Sequence, residues 1–186
     1  MSAAVAWRAE GQTWTRVVRP APGPINTMVL LSDGTVMCSR NITASAVSNQ
    51  WYRLTPDEQG GYVNGTWSEL APAHDRRMYF ASQVLRDGRL FVAGGEFGTG
   101  TSTSEMYNPV ADAWTTVPIP PALMTPPQRF SDACSEILQD GRVLVAPTVP
   151  AAPRQTLIYD PVSNAWSAGA NTIRASGQPE TTWVKL

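Results

Sequence analysis

Charge is scarce in this 186-residue chain: charged residues make up 16% of it, and the formal net charge is -1. Nucleic acids and anionic membrane surfaces are recognised through clustered Lys and Arg. No basic run interrupts the balance here, so neither is an expected partner. No apolar stretch approaches the roughly 18 residues that span a bilayer. The opening segment, residues 1–11, has no cationic stretch followed by an apolar one, so no signal peptide is visible. The expectation is a soluble chain, cytoplasmic by default, with a secreted or periplasmic location as the alternative. Two cysteines are too few for a disulfide framework and do not fix the redox compartment. They and the single histidine, His74, are dispersed along the chain and offer no zinc ligand set.

Trp, Gly and Pro are plentiful instead, with 7, 14 and 16 residues, a composition suited to many short strands joined by tight turns. Three Asp-Gly pairs, Asp33-Gly34, Asp87-Gly88 and Asp140-Gly141, recur 54 and 53 residues apart, each between two apolar runs. Asp-Gly between strand-like runs is a strong hairpin signal, and a two-residue type I′ turn is expected at each, with φ > 0 at both central residues. A second signal follows each of the last two hairpins: EMYNPVADAW at 105–114 and LIYDPVSNAW at 157–166. Asn or Asp before Pro initiates a turn, so Tyr107 and Trp114, like Tyr159 and Trp166, bracket an outer hairpin at a common spacing of seven.

Trp7 and Trp14 show the same spacing near the start of the chain. The first full repeat departs from it: Leu54 takes the tyrosine position, and six extra residues enlarge the turn before Trp67. The resulting expectation is an all-β chain of four-stranded antiparallel units stacked face to face. Residues 1–21 form the outer hairpin of a closing unit, 22–70, 71–120 and 121–170 form complete units, and 171–186 form the first strand of the next. Trp67, Trp114 and Trp166 are expected at equivalent places, packed between neighbouring units.

From Arg77 to Pro121 the sequence resembles a kelch motif throughout: Asp87-Gly88, the doublet Gly94-Gly95, the Tyr107 strand and Trp114 occur in order. Weaker copies extend across nearly the whole chain, and the blade type resembles galactose oxidase-like kelch proteins of bacteria. The resemblance implies a β-propeller. Rings of this kind usually have six or seven blades, so the chain reads as the N-terminal portion of a longer propeller. A short form closed by another chain is the rival. The copper site of galactose oxidase-like proteins needs two histidines, two tyrosines and a cysteine. This chain does not supply that set, and no cofactor is expected from it.

In propellers of this kind ligands meet the face built by the loops entering the first strand of each blade and by the loops after the second. Those segments hold Arg76, Arg77, Arg129, Asp132, Arg174 and Glu180. Aligned on the Asp-Gly pairs, Arg76 and Arg129 fall at one position, while Asp132 and Glu180 fall at another, with Tyr79 and Ile25. Arginines beside carboxylates suit an acidic or polyhydroxylated ligand; an arginine bonding backbone carbonyls within its own blade is the structural alternative. His74 is expected to be a solvated loop residue, and Cys38 and Cys134 to be small core residues that do not bond each other. Two functions stay open: a binding scaffold for a small polar ligand or another protein, without an identifiable catalytic set, and a carbohydrate- or polyol-acting enzyme, oxidase or epimerase-like, completed by further blades.

Overall fold

A computed structural model describes residues 14–41, 43, 45–124, 132–147, 154–173 and 183. The hairpin expected around Trp7 and the strand expected at 179–186 lie outside the described residues, Trp14 and Trp183 excepted. The described chain is almost wholly β. Its strands are β1 (Ile25–Leu30), β2 (Val36–Asn41), β3 (Val47–Thr55), β4 (Thr66–Leu70), β5 (Arg77–Met78), β6 (Ala81–Val84), β7 (Leu90–Ala93), β8 (Glu96–Gly98), β9 (Ser104–Asn108), β10 (Ala113–Val117), β11 (Cys134–Ile137), β12 (Val143–Ala146), β13 (Gln155–Asp160) and β14 (Ala165–Asn171). One 3₁₀ turn spans Pro121–Leu123. Three antiparallel sheets follow in chain order, β1-β2-β3-β4, β6-β7-β9-β10 and β11-β12-β13-β14, and β5 pairs with β8 beside the second.

Each sheet opens on an Asp-Gly hairpin, but the turn is not the type I′ turn expected. Only the glycines have positive φ, at 81°, 85° and 91° for Gly34, Gly88 and Gly141. The Gly34 amide bonds back to the Leu31 carbonyl, and the Leu31 amide to that of Thr35; Leu85/Arg89 and Leu138/Arg142 repeat the pattern. These are three-residue loops, a type I turn closed by a left-handed glycine. The aspartate serves as an acceptor: its Oδ1 takes the amide of residue 35, 89 or 142 at 2.9–3.1 Å. Arg89 and Arg142 also clasp the second carboxylate oxygen of Asp87 and Asp140.

The outer hairpins repeat as closely. Trp67 stands opposite Leu54, Trp114 opposite Tyr107, and Trp166 opposite Tyr159. The Tyr107 hydroxyl donates to Asp112 at 2.7 Å and that of Tyr159 to Asn164 at 2.9 Å, with both acceptor residues in the left-handed region that closes the turn.

The sheets stack through apolar faces. All four residues of β7 are buried. Leu90 and Val92 pack with Leu31, Met37 and Trp51 of the first sheet, while Phe91 and Ala93 pack with Val143, Leu157 and Tyr159 of the third. Alternate side chains of a strand point to opposite faces, so this strand is sandwiched and reads as an unbroken apolar run. Trp114 lies 5.4 Å from Trp51 across the first interface, and Phe91 stacks on Tyr159 at 4.8 Å across the second. The Trp114 indole donates to the Ala71 carbonyl, and that of Trp67 to the Arg19 carbonyl. Trp114 is buried, whereas Trp67 and Trp166 are half-buried. Cys38 and Cys134 are buried and are not joined by a disulfide, as expected.

Candidate functional site

The two loops that converge above the second sheet, 71–80 and 94–103, are locked together by β5 and β8, a pairing where the sequence predicts plain loop. Glycine is required where they cross. A Cβ at Gly95, whose φ is +125°, would sit 2.8 Å from the Met78 carbonyl oxygen, and one at Gly98 would sit 2.4 Å from that of Arg76.

Beneath this crossing lies a buried ionic network. Glu105 on β9 is fully buried, and Arg77 is 2% exposed; they meet at 2.5 Å. The guanidinium also donates to the carbonyls of Gly94, Gly100 and Thr103 and to the Thr103 hydroxyl. The other face of Glu105 accepts the His74 backbone amide at 2.8 Å and meets the ring Nδ1 at the same distance. Asp75 holds Thr103 at 2.6 Å. Burial alone would raise the Asp75 carboxyl, but hydrogen bonds from Thr103 and Thr99, with Arg77 and His74 nearby, hold it below the usual carboxylate range.

One expectation is corrected by this geometry. Arg77 is buried rather than channel-facing, and its two terminal nitrogens donate to the carbonyls of Gly94, Gly100 and Thr103, to the Thr103 hydroxyl and to Glu105. His74 is an exposed loop residue, as expected, and its ring Nδ1 also meets Glu105. Glu105, which the sequence reading passed over, is the hub of the region.

Above the network, a cavity of about 520 Å³ opens between the second and third sheets. Ser82, Ser135 and Trp183 line it, and each lies three residues before the leucine of its repeat, Leu85, Leu138 and Leu186. Tyr79 and Asp132 also line it. They occupy the same repeat position, eight residues before the aspartate of the turn, and both have left-handed backbone, with φ of 54° and 46°. A left-handed non-glycine residue costs about 1–2 kcal/mol. Here the conformation recurs at matched positions in adjacent sheets and delivers both side chains to one space.

Phe97, also left-handed at 54°, sets its ring edge-on to Tyr79 at 6.3 Å. Both rings remain substantially exposed, at 50% for Tyr79 and 39% for Phe97. Phe80 and Glu96 complete the near wall, and Cys134 contributes to the far one, so it is a lining residue as well as a buried one. Arg76 is exposed and is held through its backbone by Thr99 and Gly100. Arg129, Arg174 and Glu180 lie outside the described residues.

The family model for the kelch motif matches residues 77–121, the segment holding the second sheet, the β5–β8 crossing and the Arg77–Glu105 pair. The chain carries a kelch motif at residues 77–121. Curated relatives include Kelch-like protein 40 of Mus musculus, 48% identical over 50 residues, which are 26% of this chain and 8% of that protein. Kelch repeat and BTB domain-containing protein 13 of Homo sapiens is 35% identical over 105 residues, 55% of this chain and 21% of that protein. The chain therefore spans about a fifth or less of these relatives.

Among solved structures, a fungal alcohol oxidase of the AA5 family, in complex with copper, superposes with a TM-score of 0.58 at 24% identity, covering 81% of this chain and 30% of its own. YjhT superposes with a TM-score of 0.59 at 16% identity, covering 82% and 52%. At these identities the similarity is one of fold, and the fold is that of a kelch-type propeller. No group of three His, Cys, Asp or Glu side chains that could hold a metal ion gathers among the described residues, and the single histidine meets Glu105.

Proposed function

We propose that this kelch chain is a binding scaffold that receives a small polar ligand, or a polar side chain of a protein partner, in the cavity between its second and third sheets. The observation that carries the reading is the matched left-handed pair, Tyr79 and Asp132, lining that cavity. Backbone strain held at equivalent places by a rigid scaffold is a mark of functional sites, and loops displayed on a rigid frame commonly carry binding. The relatives' names add kelch repeats and nothing about substrate, and fold alone does not decide function.

A thermal-shift panel of sugars, polyols, amino acids and short peptides tests the proposal. Compounds that raise the melting temperature of the chain should lose their effect in Tyr79→Ala and Asp132→Ala. They should keep it in Glu136→Gln, outside the cavity lining. Hits that survive both cavity variants would overturn the reading.

A further inference from the structure

The enlarged outer turn of the first sheet holds the chain's single Asn-Gly pair, Asn64-Gly65. Such a pair reacts with itself wherever the backbone can bend to let it. The Gly65 amide nitrogen, on losing its proton to base, attacks the Asn64 side-chain Cγ. The Cγ–Nδ2 bond breaks, ammonia leaves, and a cyclic imide joins the two residues. Water then opens the imide at one of its two carbonyl carbons and returns a proton to the nitrogen. Opening at Cγ gives aspartate; opening at the main-chain carbonyl gives isoaspartate, with the backbone rerouted through the side chain. One water is consumed, one ammonia is released, and nothing is oxidised or reduced. Glycine suits the step because no Cβ restricts the approach of its nitrogen, and Asn64 is exposed.

The fold restrains this reaction. The Gly65 amide donates to the Tyr62 carbonyl at 3.1 Å, closing a turn in which Asn64 is the third residue. The Asn64 φ is not positive, so the turn is of type I. The third residue of such a turn has ψ of about 0°, which points the Gly65 nitrogen away from the Asn64 side chain. Ring closure needs a large rotation about the Asn64 Cα–C bond, and the Asn64 carbonyl and the Gly65 amide turn with it. A strap opposes that rotation. The Val18 amide donates to the Val63 carbonyl at 2.7 Å. The Arg19 guanidinium donates to the carbonyls of Asn64 and Gly65 at 2.9 and 3.2 Å. The Trp67 indole anchors the strap through the Arg19 carbonyl at 3.0 Å, and Gly65 itself is buried.

We propose that Asn64 is a site of deamidation and isoaspartate formation, and that the Val18–Arg19 strap sets its rate by holding the turn shut. Arg19 also has an opposing effect. Its charge sits on the carbonyl of the peptide whose N–H must ionise, and a hydrogen bond to a charged form favours that form. That bond is exposed to solvent, so the gain is small beside the several contacts that rotation breaks. The clamp outweighs the charge, and removing Arg19 speeds the reaction. Isoaspartate lengthens the main chain by a methylene where the turn has no slack: a Cβ on Gly65 would already lie 2.7 Å from the Thr55 carbonyl oxygen and 2.8 Å from Leu54 Cδ1. Tyr62 reaches the Gly34 carbonyl from the same turn at 2.8 Å, so conversion also loosens that link to the first Asp-Gly hairpin.

The test incubates the 186-residue chain, its Arg19→Ala variant and a capped peptide of residues 61–68 in mildly alkaline buffer. Mass spectrometry of peptide digests reads conversion at Asn64, and methyl transfer from S-adenosylmethionine by isoaspartyl methyltransferase reads isoaspartate. The native chain should convert at least tenfold more slowly than the peptide, and Arg19→Ala at least threefold faster than the native chain, with circular dichroism showing the same folded β structure in both. Methyl acceptance should disappear in Asn64→Gln, whose longer side chain cyclises far more slowly. A native chain that converts as fast as the peptide would show that the turn does not gate the reaction. A folded Arg19→Ala chain that converts no faster than the native one would overturn the role of the strap, and isoaspartate that persists in Asn64→Gln would place the site elsewhere.

Discussion

Replacing Glu105 with Ala tests whether the ionic network under the loop crossing holds the second blade together. The substitution strands the Arg77 guanidinium, 2% exposed, after removing the carboxylate 2.5 Å away. Arg77 keeps three carbonyl acceptors and the Thr103 hydroxyl, but these are dipoles; Asp75, a further carboxylate near it, lies at 3.8 Å. Breaking a buried pair by deleting one partner costs about 3–5 kcal/mol, because the remaining charge stays out of water. The amides of His74 and Asp75 lose their acceptor too, though His74 lies near enough to solvent for water to replace it.

A loss of about 3–5 kcal/mol is therefore expected, a large share of the roughly 5–15 kcal/mol that stabilises an ordinary domain. Urea titration followed by far-ultraviolet circular dichroism measures it. Amide exchange should show the first opening at Gly94, Thr99 and Gly100, whose backbone bonds close the crossing. The double variant Arg77→Met with Glu105→Leu removes both charges and should recover at least half of the loss. A cost below 1 kcal/mol for Glu105→Ala, or a double variant as unstable as the sum of the two single ones, would refute the reasoning.

Trp114→Ala should cost about 3–5 kcal/mol, the range for deleting a buried large aromatic, since the ring packs on both Trp51 and Tyr107 and donates to Ala71; a loss below 1 kcal/mol in denaturant melts would contradict that packing. Burial pushes the Cys38 thiol up to about 11, so its folded value lies above that of the unfolded chain, near 8.5. Its stabilising contribution is complete below the unfolded value and is lost as pH rises through about 11. Cys38→Ala should flatten the alkaline limb of a stability–pH profile, and native Cys38 should react with Ellman's reagent only as fast as the chain opens; an unchanged limb, or immediate reaction, would count against the burial.

The repeat was legible because its signals are local. Asp-Gly, Tyr-to-Trp spacing and Asn/Asp-Pro each act within a few residues, and together they located the hairpins. The turn type was not legible, because Asp-Gly suits both a type I′ turn and a type I turn closed by glycine. The bond between the Leu31 amide and the Thr35 carbonyl selects the second.

Site residues were harder to read because their roles depend on distant partners. Arg76 and Arg77 are neighbours in sequence, yet the pleat sends one outward and the other down onto Glu105, 28 residues away. Glu105 carries a signal of its own: an acidic residue two before Tyr107, on a strand buried from Ser104 to Tyr107. Such a residue needs a buried partner, and Arg77 supplies it. The left-handed backbone at Tyr79 and Asp132 is invisible in residue types, since neither is glycine, although the shared repeat position had already grouped them.

The stacked blades are not interchangeable modules. Trp51 faces Leu70 across the β3–β4 pair, and in the next blade the same register position is Ser104 facing Val117. At the first interface Trp51 works with Met37 against Trp114 and Tyr107; at the second, Phe91 fills the space against Tyr159 and Trp166. One joint thus takes its bulk from two residues of the first blade, and the other from a single ring on the central strand of the second. Copying the second blade into the place of the first would set a serine where an indole is needed, and copying the first into the second would bring an indole against a joint already filled. Duplication of a blade within this array would need compensating changes on the facing sheet before the new joint closed, so the order of the blades is written into the side chains between them.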